Sequence, residues 1–121
     1  MSLLKVIPNI FYEDIQIGLD LFIDGLRFKP VYVSSEGDPF YILERDGVRL
    51  HIIQSAPFAQ EHRPEIRIET DNIEQLYKEI SALRPDLLHP NLNKVTLRPW
   101  GLKEFALLDK TTVCVIIQQK S

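Results

Sequence analysis

Apolar and polar positions run through the same succession of patterns twice. Pro8-Asn9-Ile10-Phe11-Tyr12-Glu13-Asp14-Ile15 leads into an apolar-periodic stretch, and Pro64-Glu65-Ile66-Arg67-Ile68-Glu69-Thr70-Asp71 does so again. Tyr41-Ile42-Leu43, a turn and His51-Ile52-Ile53-Gln54 return as Phe105-Ala106-Leu107, a turn and Val115-Ile116-Ile117-Gln118. The offset is about 56 residues for the first pair and about 64 for the second, so each copy reads as one strand, one helix and a run of strands. On this plan a single domain over 1–121 holds one module at about 1–58 and a second at about 59–121. Two copies of such a unit can close around a shared cleft, the kind of place where small molecules bind.

Period-2 alternation predicts strands at about residues 5–12, 29–34, 39–45, 48–54, 64–69, 93–97, 103–108 and 113–119. Helical periodicity puts Ile15, Leu19, Phe22 and Leu26 on one core face behind Asp14. It also puts Ile73, Leu76, Tyr77, Ile80 and Leu83 on one stripe, which Pro85 ends. Asp71 is placed to cap the second helix, with Glu74 completing a capping box. Asp46-Gly47 predicts a primed hairpin turn whose two-residue loop pairs Phe40 with Ile53 and Ile42 with His51.

Alternation also separates two sheet faces. Leu50 and Ile52, Ile66 and Ile68, and Val113, Val115 and Ile117 form an apolar face suited to packing under helices. The opposite face carries Arg49, His51 and Ile53, then Glu65, Arg67 and Glu69, then Cys114, Ile116 and Gln118. So polar a face reads as the wall of a wet, ligand-holding concavity, with an ordinary solvated sheet face as the alternative.

Composition narrows the choice of class. The chain has 121 residues, 45% of them hydrophobic, enough for one core but not two independent ones. No run approaches the roughly 18 apolar residues of a membrane span, and the start lacks the charged and apolar regions of a signal peptide. The expectation is therefore a cytoplasmic protein with no membrane partner. A formal charge of −3 without a basic stripe argues against nucleic acid as a partner. Cys114 is the only cysteine, which leaves no internal disulfide, and its place in a strand pattern reads as an inert wall or core thiol.

The last third carries the most specific signal. Arg98-Pro99-Trp100-Gly101-Leu102-Lys103-Glu104-Phe105-Ala106-Leu107-Leu108-Asp109, followed by Val113-Cys114-Val115, resembles the closing segment of bleomycin resistance proteins in the vicinal oxygen chelate superfamily, which also contains glyoxalase. Pro8, Asp14-Ile15, Asp46, Leu50-His51-Ile52 and Leu76-Tyr77 extend the resemblance at lower density over nearly the whole chain. It implies an α+β fold of two βαβββ modules forming a curved mixed sheet around a cleft, with two chains paired as a homodimer. Two motifs depart from it. Asp109-Lys110-Thr111-Thr112-Val113 stands where the family often has Asp-Pro-x-Gly-Asn, and Leu26-Arg27-Phe28 stands where Leu-Gly-Phe commonly ends the first helix. If the backbone at Arg27 is left-handed, the side chain costs around 1 kcal/mol that glycine avoids.

Many enzymes of that superfamily hold a divalent ion at four equivalent strand positions. Carried over strand by strand, these are Ile7, His51, Glu65 and Ile116, and the two isoleucines have no lone pair to donate. A match of the two Ile-Ile-Gln endings puts Ile52 in the second position instead; His51 is preferred because it falls on the polar face. No metal and no cofactor are expected on either register. The Glu61-His62-Arg63-Pro64-Glu65 cluster reads as a loop. The resemblance implies that Trp100 lines a drug cleft and that Phe40 is a cleft aromatic, whose partner on the preceding strand is replaced by the Ser34-Ser35 region. The expected ligand-binding set is thus Phe40, Arg49, His51, Ile53, Glu65, Arg67, Trp100 and Ile116. The implied activity is metal-free capture of an antibiotic or similar planar small molecule, with no catalytic residue. The alternative is a glyoxalase-like or dioxygenase-like enzyme, in which His51 and Glu65 form a general-base pair.

Overall fold

Backbone hydrogen bonding sorts the strands into two four-stranded mixed sheets with the same internal order. A computed structural model describes residues 1, 3–34, 37–61 and 63–120, and the chain divides into a unit Met1–His62 and a unit Arg63–Ser121. The first runs β1 (Asn9–Tyr12), α1 (Ile15–Leu19, continued by π-helical turns at Asp20–Gly25), β2 (Lys29–Ser34), β3 (Phe40–Arg45), β4 (Val48–Gln54) and α2 (Ala56–Glu61). Its sheet order is β1-β4-β3-β2. The second runs β5 (Glu65–Glu69), α3 (Ile73–Leu83), a 3₁₀ turn (Pro85–Leu87), β6 (Thr96–Leu97), β7 (Leu102–Leu108) and β8 (Cys114–Lys120), in the order β5-β8-β7-β6. In each sheet the first strand lies parallel to the last and the remaining pairs are antiparallel. These are two βαβββ modules of an α+β fold. Among the described residues, no helix is long and apolar enough to cross a membrane.

The same device ties helix to sheet in both modules. The first helical N–H groups have no partner within their own helix. Ile15 N–H donates to Gln54 Oε1 at 3.1 Å, and Ile73 N–H donates to Gln119 Oε1 at 2.6 Å. These bonds set Ile15 against Ile73 and Gln54 against Gln119, offsets of 58 and 65 that replace the 56 and 64 read from sequence. The ladders agree, since Asn9 pairs with His51 where Arg67 pairs with Ile116. By that alignment Ile7 is equivalent to Glu65, and His51, not Ile52, to Ile116.

The hairpin and the faces follow the alternation. Asp46 and Gly47 both have positive φ (54° and 81°), as a primed turn requires, and Phe40 pairs with Ile53 and Ile42 with His51. Leu50, Ile52, Val113, Val115 and Ile117 are buried on the apolar face, and Ile15, Leu19, Phe22 and Leu26 are buried on α1 and the turns after it. Several boundaries differ from expectation. β1 starts at Asn9 rather than near residue 5, β6 is two residues long, and α2 had no periodic signature in its six residues. Asn72, not Asp71, caps α3: its side chain accepts from Gln75 N–H at 3.1 Å, so Glu74 does not close the box. Leu83 at the end of the α3 stripe is 52% exposed rather than part of the core.

Both departures from the family pattern meet a left-handed backbone. Arg27 has φ 61°, with Arg27 N–H donating to Ile23 O at 3.1 Å and Phe28 N–H to Phe22 O at 2.8 Å. The Phe22 and Phe28 rings meet edge to face at 6.0 Å and close the helix end. Thr112 has φ 70°, a costly conformation for a β-branched residue. Asp109 compensates. Its Oδ1 accepts from Thr111 N–H (2.8 Å), Thr111 Oγ1 (2.6 Å) and Val113 N–H (3.1 Å), bracing the turn without Pro or Gly.

Gly18 is needed for a different reason: a Cβ there would collide with the ring of Tyr12, which lies buried between α1 and β1. Gly18→Ala should therefore lower stability by roughly 1–3 kcal/mol through overpacking, despite alanine's better helix propensity. Arg27→Gly should raise it by about 1 kcal/mol by removing the left-handed cost. Urea denaturation of the two variants beside the natural chain checks both signs.

Candidate functional site

The polar face of the second sheet is organised by a carboxylate that sequence reasoning did not select. Glu104, on β7, is 1% exposed. Its Oε2 accepts from Arg67 Nη1 at 2.9 Å and from Trp100 Nε1 at 2.9 Å, while Arg98 Nε lies 3.9 Å from Oε1. Arg67 Nη1 also donates to Gln118 Oε1 at 3.2 Å. Register explains the convergence: Glu104 pairs with Gln118 and with Thr96, so β6, β7 and β8 bring these residues to one level, and Arg67 reaches in from β5. An unpaired buried carboxylate costs several kcal/mol, so these charge-assisted bonds are what permit its burial.

Trp100 sits in the turn between β6 and β7, where Gly101 N–H donates to Arg98 O at 2.9 Å and Arg98 N–H to Leu102 O at 2.8 Å. Gly101 has φ 91°, which admits the tight turn. The indole is tethered at its nitrogen to Glu104 yet remains 56% exposed. The Arg98 guanidinium lies over it, 4.8 Å from the ring centroid, within cation–π range.

The polar face of the first sheet is aromatic. Phe40 meets His51 edge to face at 5.2 Å and Tyr32 at 6.0 Å, and Phe11 meets Phe58 at 5.0 Å. Tyr32, on β2, thus supplies an aromatic partner from the preceding strand, in place of the Ser34-Ser35 region to which the sequence pattern points; the bulge between Pro30 and Tyr32 sets it opposite Ile42. Ser34 pairs with Phe40, and Ser35 lies outside the described residues. Arg49 Nη2 donates to Glu44 Oε2 at 2.7 Å, and this bond, with the positive charge behind it, holds the Glu44 carboxyl below the usual carboxylate range.

The expected site residues therefore fall into two groups. Phe40, Arg49, His51 and Ile53 share the first sheet's polar face, with Phe40 and His51 in contact. Arg67, Trp100 and Ile116 share the second, where Arg67 and Trp100 meet on one oxygen of Glu104 and Ile116 is buried beside Arg67 in the ladder. Glu65 is exposed on β5 and pairs with Cys114. Burial, and then the Glu65 charge, push the Cys114 thiol up, in keeping with an inert wall thiol. Of the Glu61–Glu65 cluster, Glu61 ends α2, Glu65 opens β5 and His62 lies outside the described residues. Among the described residues, no group of three His, Cys, Asp or Glu side chains is placed to hold a metal ion.

Glu104 was legible in one respect: it is an acidic residue two positions from Ala106 in a buried strand, opposite Gln118 once the Asp109–Val113 turn fixes register. Arg98 carried no comparable signal, since turn residues have no periodicity.

No protein-family model matches the sequence, and no curated protein sequence matches it. Solved structures do share the fold. A bleomycin-binding protein complexed with bleomycin superposes with a TM-score of 0.75 at 18% identity, covering 97% of this chain and 98% of its own. The bleomycin-binding protein of bleomycin-producing Streptomyces verticillus, complexed with copper(II)-bleomycin, gives 0.72 at 18% identity over 100% and 98%. The fosfomycin resistance protein FosX of Listeria monocytogenes gives 0.68 at 10% identity over 100% and 94%. The fold is thus that of the bleomycin-binding and glyoxalase group.

Glu104→Ala should destabilise the chain by roughly 2–3 kcal/mol, since it strips Arg67 and Trp100 of a shared charged acceptor. It should also red-shift the emission of Trp100 as the indole loses its tether. Glu104→Gln, which keeps an acceptor oxygen, should cost less than Glu104→Ala in the same denaturation experiment.

Proposed function

We propose that this chain is a metal-free small-molecule binding protein of the bleomycin resistance type, sequestering an antibiotic or similar planar ligand without transforming it. The observation that carries the proposal is the presentation of Trp100: its polar edge is satisfied by a buried carboxylate while more than half of the residue stays open. Tryptophan exposed at random needs no such tether, whereas a stacking platform must hold its angle. The aromatic group around Phe40 on the other module, and the likeness in fold to proteins solved with bleomycin, support the same reading.

Binding sites would be completed by a second copy of the chain. β2 is an edge strand of its sheet with Val31, Tyr32 and Val33 all about half exposed, and Leu3, Leu4 and Val6 before β1 are exposed as well. Apolar surface of this kind and an open strand edge are ordinarily covered. A metal-dependent glyoxalase-like activity fits the residues poorly, because each module offers one possible donor and one isoleucine at the equivalent positions: His51 with Ile7, and Glu65 with Ile116.

Sedimentation at tens of micromolar should give about 28 kDa, twice the chain mass of 14.0 kDa, with an interface of at least ~1,200 Å²; a 14.0 kDa species contradicts the pairing. Planar heteroaromatic compounds should alter the fluorescence of Trp100, the only tryptophan. Trp100→Ala should weaken the compounds that bind by ~1–3 kcal/mol, and Phe40→Ala by less. Bound compounds should be recovered unchanged; conversion at a rate dependent on His51 contradicts sequestration.

A further inference from the structure

The wall around Glu104 already holds a planar cation. Arg98 stacks its guanidinium on Trp100 at 4.8 Å and brings Nε to 3.9 Å from Glu104 Oε1, too long for a hydrogen bond. Arg98 Nε is buried and has no hydrogen-bond partner, and the bonds that Arg67 and Trp100 donate to Glu104 both end on Oε2 rather than Oε1. The other oxygen, Oε2, is fully engaged by Arg67 and Trp100. The unsatisfied buried atom is thus the cation's own Nε, in poor geometry toward Oε1 and beside an indole face that the same guanidinium covers.

We infer that Arg98 is an internal competitor at a planar-cation subsite, and that an amidinium, guanidinium or protonated heteroaromatic ligand displaces it from Trp100 and donates to Glu104 Oε1. The inference rests on the binding proposal above and names its ligand class. Displacement is cheap on this geometry. The Arg98 backbone is pinned by the turn bonds to Leu102 and Gly101, but its Nε has no hydrogen-bond partner among the described residues and the side chain swings on four single bonds. Arg67 is held differently, by hydrogen bonds to both Glu104 and Gln118, and stays to balance part of the carboxylate charge. The opposite reading makes Arg67 and Arg98 a pair of anchors for an anionic ligand. The carboxylate is against it: Glu104 Oε1 can accept from a ligand donor better placed than Arg98, and an anion brought beside it meets a like charge.

The two readings predict opposite signs for one substitution. Titrations with benzamidine (planar, cationic, two donors), benzamide (neutral) and benzoate (anionic) are followed by Trp100 fluorescence. In Arg98→Ala, benzamidine should bind roughly five- to thirtyfold more tightly than in the natural chain, as a competing cation–π contact is removed. Benzamide should gain less and benzoate should not gain. Arg98→Met, which keeps side-chain bulk and loses the charge, should move benzamidine in the same direction and serves if the alanine variant does not fold. Unchanged or weaker benzamidine binding in a folded variant overturns the inference, and so does benzoate binding that disappears with Arg98. Absence of any benzamidine response in all proteins also overturns it. The broader binding proposal fails separately, when no planar compound of any charge responds in a Trp100-dependent way.

Discussion

Burial of the Glu104 carboxylate is the constraint around which the second module's polar face is arranged. At 1% exposure it must be matched by donors, and the chain supplies two: Arg67 on β5, itself braced by Gln118 on β8, and Trp100 in the turn after β6, with the Arg98 charge nearby. Each donor is thereby fixed in turn. Arg67 is drawn across the sheet, and the indole is set on edge with its ring presented. Hydrophobic residues replacing the whole cluster would often be as stable. The charged one orients a platform, and this is the sense in which fold and proposed function meet.

The two modules show how a repeat survives loss of its sequence identity. Little but pattern is shared between them, yet the glutamine that binds the start of each helix from the last strand recurs at Gln54 and Gln119, and His51 and Ile116 hold equivalent register positions in their own sheets. Around this frame the polar faces have diverged. The first is aromatic, built on Phe40, Tyr32 and His51; the second is ionic, built on Glu104 and its partners. Equivalent positions no longer form a symmetric ligand set, and each equivalent pair sets one polar residue against isoleucine.

What could be read from the sequence was what periodicity encodes. Strand alternation places His51 and Arg67 on the polar faces, and Asp46-Gly47 fixes a register that the ladder reproduces pair by pair. Arg27 in a glycine position was legible as a cost and has the left-handed φ that causes it. Non-periodic features were lost. The shift of the α3 cap from Asp71 to Asn72 depends on where a loop turns, and Tyr32 reaches Phe40 only because of a bulge that no spacing announces. Resemblance alone marks Trp100 in the sequence, but the reason it points as it does lies in Glu104, four residues away in sequence and joined to it only when the β6–β7 turn closes.

Glu104 holds Trp100 in place through its shared carboxylate oxygen, and the coupling energy between these two residues measures that hold. A double-mutant cycle of Glu104→Gln and Trp100→Phe, read by urea denaturation, removes the carboxylate charge and the indole donor separately and together. The double variant should be more stable than the sum of the single losses allows, by about 1 kcal/mol or more. Additivity within about 0.5 kcal/mol contradicts it, and would leave Trp100 an exposed side chain that nothing orients.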